Sequence, residues 1–273
     1  MISRVRLIVL IIILTPITLL LMPVQFMAVQ FDWKLAKYLP IIWHRLVAIL
    51  IGLRVRTIGK LEEAHPIMII SNHVSWMDIV ALSTIAPVSF IAKDEVAQIP
   101  FAGLLAKLQR SIFVTRADKY GSANQARQIS LRMLKGDIMV LFAEGTTGTG
   151  DQVLPFKSSL LGAAQFVAKE SAGSMVTIQP VSIAYTHTCG ILNTRRERVR
   201  ASWPGTIELL PHAGLMIQQG GLDVEISFGQ PIEFTAKSKR RAIADRTHAE
   251  VKRMYLASLF PRHRVDGFLL PEK

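Results

Sequence analysis

Residues 7–29 carry no charged side chain, and a stretch that long and apolar is kept out of water only by burial in protein or in lipid. As a helix it is long enough to cross a bilayer. Pro16 and Pro23 interrupt it, no small-x-small cleavage site ends it, and it is too long for a signal-peptide core, so it reads as a retained hydrophobic membrane-binding segment. Basic residues flank both ends, Arg4 and Arg6 before and Lys34 and Lys37 after, so the positive-inside bias gives no orientation. A kinked, re-entrant or interfacial segment would keep both ends on one side. Trp33, Tyr38 and Trp43 suit the headgroup level, and residues 39–53 read as a second helix in or near the interface, with a buried helix of the folded domain as the alternative. Membrane-embedded or interfacial helices are therefore expected over 1–53, and one folded domain over 54–273.

The remainder alternates between short apolar runs and longer helical patterns. Residues 54–58, 67–70, 88–92, 138–142, 176–184 and 222–228 read as strands, and 78–86, 125–135, 160–168 and 242–259 as helices. That alternation predicts an α/β fold, a mixed central sheet flanked by helices. Pro180 lies inside one strand, which predicts an edge or bulge position for it. Half the residues are hydrophobic, mean hydropathy is +0.34 and net charge is +12, a balance that favours an anionic membrane surface over nucleic acid as partner. Cys189 is the one cysteine, which excludes an internal disulfide, and no Cys/His cluster has metal-ligand spacing.

The chemistry concentrates in Ser71-Asn72-His73-Val74-Ser75-Trp76-Met77-Asp78, directly after an apolar strand. Ser75 and Asp78 have the spacing of a capping box that opens the next helix. On a continuous helix, residues five apart point roughly 140° from each other, so His73 and Asp78 meet only if His73 sits on the turn. There the carboxylate can fix the imidazole tautomer and leave the second ring nitrogen free to take a proton. No Gly-x-Ser-x-Gly elbow supplies a nucleophile, and nothing around Cys189 resembles a catalytic cysteine. Such a base acts on the substrate itself.

His-x4-Asp after a strand resembles the first motif of the glycerolipid (1-acyl-glycerol-3-phosphate) acyltransferase family. Three further stretches resemble that family in the same order: Ser111-Ile112-Phe113-Val114-Thr115-Arg116, Phe142-Ala143-Glu144-Gly145-Thr146-Thr147, and Gln179-Pro180-Val181. The resemblance implies that His73 is the general base and Asp78 its partner. It also implies that Asn72, Arg116, Glu144, Gly145, Thr146 and Lys157 bind substrate, with no metal and no cofactor beyond an acyl-carrier-protein or coenzyme A thioester as co-substrate. It further implies a bacterial inner-membrane enzyme with its catalytic domain on the cytoplasmic face.

Thr147 departs from the family, which places an arginine there beside the acceptor phosphate. Losing a guanidinium from a phosphate site removes a contact worth about 1.5–3 kcal/mol, which favours an acceptor without a phosphomonoester. The Glu-Gly-Thr-Thr region is similar to that of enzymes acylating lyso-ornithine lipid. Lys157 could restore part of the charge, which keeps 1-acyl-glycerol-3-phosphate as the alternative acceptor. A catalytically silent lipid-binding membrane protein is the alternative of another class.

Overall fold

The computed structural model describes residues 2–114, 119–170, 175–205, 207–260, 264–265 and 268–269. Two helices lead, α1 (Ile2–Gln30) and α2 (Leu35–Ile51). They run antiparallel, because Arg6 reaches the Leu50 carbonyl, Trp43 Nε1 donates to Thr18 Oγ1 at 2.9 Å, and Gln25 Nε2 donates to the Ala36 carbonyl at 3.0 Å. α2 ends at Gly52, whose left-handed φ of 72° lets its N–H cap the last turn onto Ala48 and Ile49. A side chain there would also collide with the Gly221 backbone nitrogen at 2.8 Å.

The chain then builds β1 (Leu53–Ile58), β2 (Ile67–Ser71), α3 (Met77–Ile85), β3 (Val88–Lys93), α4 (Ala102–Leu108), β4 (Ile112–Val114), α5 (Lys119–Leu134) and β5 (Ile138–Phe142). There follow α6 (Gly162–Glu170), β6 (Val176–Thr188), β7 (Ile191–Leu192), α7 (Arg195–Ala201), α8 (Leu209–Gln219), β8 (Leu222–Phe228), β9 (Ile232–Phe234) and α9 (Arg240–Leu259). The main sheet runs β1-β8-β6-β2-β5-β3-β4, with β7 and β9 also paired to β6. Strands β6 to β4 in that order are parallel, whereas β8 joins β6 antiparallel, so the sheet is mixed as expected.

Every residue of β2 is buried, which fits a middle strand covered on both faces. Ile67 and Ile69 join a core with residues of α2, α3 and α8, while Met68 and Ile70 join a second core with residues of α5, α6 and α9. The fold is thus a sheet between two helical layers. Val47, Ala48 and Ile51 of α2 are buried in the first core, yet Ile42 and Ile49 remain 59% and 74% exposed. One face of α2 is therefore the buried helix of the folded domain, and the other is open.

Pro180 corrects an expectation. It lies in the middle of the sheet, paired with Ile70 of β2, not at an edge. On its other side β6 pairs with β9 up to Ile178 and with β8 from Val181, so the proline falls at the break between two partners. The ladder is already interrupted there.

A charge cluster ties the helical hairpin to the domain. Asp137, 4% exposed, meets Lys37 at 2.7 Å, Arg132 at 2.7 Å and Arg110 at 3.3 Å. Arg110 makes its contact from a left-handed backbone, with a φ of 62°.

Candidate active site

Parallel register assembles the site. Ser71 at the end of β2 lies opposite Phe142 at the end of β5, so the segments leaving both strands, Asn72-His73 and Ala143-Glu144, emerge side by side at the carboxyl edge of the sheet. This edge is where open α/β sheets bind ligands. His73 lies flat on the Phe142 ring, with centroids 3.9 Å apart and planes 9° from parallel.

His73 Nδ1 and Asp78 Oδ2 are 2.8 Å apart. The same oxygen accepts the backbone N–H groups of Val74 at 2.6 Å and Ser75 at 2.9 Å. The bond from Ser75 N–H is one half of the expected capping box. The reciprocal half is missing, because α3 runs from Met77, one residue before the expected start, and its cap residue is Trp76, which makes no side-chain cap. Asp78 is fully buried in the first helical turn, where the helix dipole favours an anion. A carboxylate accepting at Nδ1 puts the ring proton there and leaves Nε2 as acceptor. With a side-chain exposure of 16%, the imidazole can be reached by a substrate.

The second oxygen, Asp78 Oδ1, accepts the Tyr185 hydroxyl at 2.6 Å. Sequence reasoning missed this partner. Tyr185 is 1% exposed and sits on β6 beyond the expected strand end, since β6 runs four residues past Ala184. Burial first, and the adjacent Asp78 charge second, hold its hydroxyl well above the ordinary phenol range, so it remains a donor.

The loop after β5 closes over the pair. Gly148 N–H donates to the His73 carbonyl at 2.7 Å, and Lys157 N–H to the Ala143 carbonyl at 2.8 Å. Gly150 has a φ of 71°, and a Cβ there would stand 2.8 Å from the Arg198 carbonyl, so α7 packs directly on the loop. Asp151 pairs with Arg195 at 2.8 Å, and Trp203 N–H, just past α7, donates to the Val74 carbonyl at 2.9 Å. The arginine-rich segment is thus a capped helix along the site, with Thr194 and Glu197 forming its capping box.

The residues expected to bind substrate divide. Asn72, at 1% exposure, donates its amide to the Ile183 carbonyl and accepts the Ile183 N–H, each at 2.9 Å, so it clamps β2 to β6. Glu144, 2% exposed, turns inward, accepts the Leu154 N–H at 3.0 Å and faces the His73 backbone amide. Burial pushes its carboxyl up to about 8, against the opposing pull of the Leu154 hydrogen bond and the facing His73 amide. Gly145 turns the loop with a φ of 69°, and Thr146 and Lys157 are exposed on it. Arg116 lies outside the described residues.

A family model described as Acyltransferase matches residues 52–184, which holds the His-Asp turn, the loop after β5 and Tyr185's neighbour Ala184. The chain is 43% identical over 264 residues to the lyso-ornithine lipid O-acyltransferase of Brucella abortus, covering 96% of this chain and 98% of that protein. This chain belongs to the acyltransferase family. It is also 39% identical over 251 residues to the lyso-ornithine lipid O-acyltransferase of Rhizobium meliloti, covering 92% of this chain and 86% of that one. A 1-acyl-sn-glycerol-3-phosphate acyltransferase of Neisseria gonorrhoeae is 34% identical, over 44% of this chain and 46% of that one. Among solved structures, the 1-acyl-sn-glycerophosphate acyltransferase of Thermotoga maritima shares the fold, with a TM-score of 0.55 at 16% identity over 80% of this chain and 77% of that chain. In this acyltransferase the expected α/β architecture and the N-terminal apolar helix are both present.

Proposed function

We propose that this acyltransferase moves a fatty acyl group from a carrier thioester to the free hydroxyl of lyso-ornithine lipid. The observation that carries the chemistry is His73, its Nδ1 engaged by Asp78 and its Nε2 left to accept. The acceptor hydroxyl gives its proton to Nε2 as its oxygen attacks the thioester carbonyl. Collapse of the tetrahedral adduct breaks the C–S bond, the leaving sulfur takes the proton from the imidazolium, and an ester remains. Base catalysis of this kind contributes about 10²- to 10⁴-fold, and orientation of the two bound substrates supplies much of the rest. No metal or cofactor is assigned a step. Acyl carrier protein and coenzyme A are the candidate carriers.

The acceptor is supported by Thr147, which leaves the loop without the guanidinium used to hold a phosphomonoester, and by the names of the relatives aligned over nearly the whole chain. Arg116, Thr146 and Lys157 are assigned to the acceptor's polar head. Lys157, exposed on the same loop, is the feature that favours the second reading, 1-acyl-glycerol-3-phosphate as acceptor.

The protein works on a membrane, with α1 lying in the plane of the interface and not crossing it. Near one end Arg6 contacts the Leu50 carbonyl, and near the other Gln25 Nε2 donates to the Leu108 carbonyl at 2.7 Å, so both ends are held against the domain. The outward face, including Ile12 at 66% and Leu20 at 70% exposure, is left to lipid. This arrangement keeps both basic flanks on one side, assigned to the cytoplasmic face of the inner membrane.

The test is purified protein supplied with labelled acyl thioester and each lysolipid in turn. Acylated lyso-ornithine lipid is expected, and exclusive use of the phosphate-bearing acceptor would end this reading. Full activity of His73→Ala would end the base assignment, and no acylation of either lysolipid by the wild-type protein would end the enzyme reading.

A further inference from the structure

The Asp78 carboxylate is held from two sides that are unrelated in sequence. Oδ2 takes three donors, His73 Nδ1 and the backbone amides of Val74 and Ser75, all from the turn itself. Oδ1 takes a hydrogen bond from Tyr185, more than a hundred positions later in the chain. A carboxylate gripped at one oxygen can still rotate about its Cβ–Cγ bond. Gripped at both, it cannot.

Tyr185 is itself built in firmly. Its backbone carbonyl accepts Asn193 Nδ2 at 3.1 Å, and two residues before it Ile183 is clamped by Asn72. Val181, Ile183 and Tyr185 share one face of β6 and one apolar core. An apolar side chain of similar size would fill that space at no desolvation cost, so the phenol is explained by what its hydroxyl bonds. That bond is short and charge-assisted, and the Ser75 side chain lies close to the same hydroxyl.

We infer that Tyr185 is a positioning residue of the acyl transfer: its hydroxyl fixes Asp78 so that the other carboxylate oxygen stays aimed at His73 Nδ1 while the imidazole gains and loses its proton. This inference rests on the base role assigned to His73 above. Tyr185 does not touch substrate and acts through Asp78.

The experiment compares Tyr185→Phe, Asp78→Asn and the double variant in the full-length protein with detergent-dispersed lysolipid and acyl thioester. Tyr185→Phe is expected to lower kcat roughly 10- to 100-fold, the cost of a buried hydrogen bond to a charged group, with both KM values within about twofold of wild type. In the Asp78→Asn background the same change is expected to cost no more than about a further twofold, because the group it acts through is gone. A wild-type kcat for Tyr185→Phe would overturn the inference, as would an undiminished loss in the Asp78→Asn background. If Tyr185→Phe yields no folded protein, fluorotyrosine at 185 replaces it, and a kcat independent of phenol acidity overturns the inference. His73→Ala separates the two levels. Retained activity in that variant defeats the base assignment, whereas an inactive His73→Ala beside a fully active Tyr185→Phe defeats only the role of Tyr185.

Discussion

The imidazole of His73 is sandwiched between chemistry and scaffold: it stacks on Phe142 at 3.9 Å, and Phe142 stacks in turn on Phe90 at 5.8 Å. Asp78 fixes the ring edge, and Phe142 fixes its plane. Phe142→Leu keeps the apolar volume but removes the flat platform, an aromatic contact worth about 0.5–1.5 kcal/mol. Steady-state kinetics should show kcat reduced roughly 2- to 12-fold with KM little changed. An unchanged kcat would mean that the stacking is incidental.

Glu144 should make stability fall as pH rises. Its folded value of about 8 lies above the ordinary 4.5, so between those values the folded state binds more protons than the unfolded chain and loses stability with increasing pH. Below pH 4.5 the penalty is absent, and above about 8 it is complete. Glu144→Gln keeps an oxygen for the Leu154 N–H without the buried charge. Thermal melts at pH 5 and pH 8 should show the variant losing less than wild type between the two. Parallel behaviour of the two proteins would contradict the shift.

Asp137 should act in the opposite sense. Burial raises its pKa, but the hydrogen bonds from Lys37 and Arg132 outweigh burial and leave it below 3.8. The stability it contributes is therefore complete above the unfolded value and lost as pH falls through the folded one. Asp137→Asn takes the carboxylate away from Lys37, Arg132 and Arg110, of which Arg110 keeps Asp32 at 3.6 Å, at a cost of about 3–5 kcal/mol for breaking a buried pair. A clear drop in melting temperature at pH 7, with a flatter acid limb, is expected from calorimetry. Equal melting temperatures for variant and wild type would show that the cluster is not a brace.

Thr147→Arg supplies the guanidinium that the family resemblance leads one to expect at this position. It should raise kcat/KM for 1-acyl-glycerol-3-phosphate by roughly 10- to 100-fold relative to lyso-ornithine lipid, the worth of one charge-assisted contact. Competition assays with both acceptors read this ratio directly, and a ratio left at its wild-type value would detach Thr147 from acceptor choice.

Ile12→Gln with Leu20→Gln adds two polar side chains to the outward face of α1 and leaves its inward contacts intact. Flotation with anionic vesicles should show reduced binding, while kcat on detergent-dispersed substrate stays near wild type. Undiminished flotation would move the membrane contact elsewhere.

What the sequence made legible was local or repetitive. His73 and Asp78 sit five residues apart on one turn, and strand β8 was readable to the residue from its alternation. What it hid depends on distant pairing. Tyr185 falls one residue past the expected end of its strand and has no visible tie to Asp78 until β6 is laid beside β2, and the pairing of Asn72, polar next to His73, with Ile183 is likewise invisible along the chain. A polar-tipped aromatic in an otherwise apolar strand was the available signal for Tyr185. The inward turn of Glu144 was hidden for the same reason, since its partner Leu154 lies across a loop whose path no periodicity dictates. Helix α8 escaped notice because Pro211 and Gly214 interrupt its pattern, yet burial of Met216 and Ile217 against the sheet outweighs that weak propensity.

The double attachment of α1, at Arg6 and at Gln25, leaves the enzyme little freedom to tilt on a bilayer. If that helix floats at the headgroup boundary, the imidazole works at one fixed height above the hydrocarbon. Lipids would then be sorted by how far a hydroxyl must climb from its resting depth to meet the base, a ruler set by the anchor as much as by the side chains around the site.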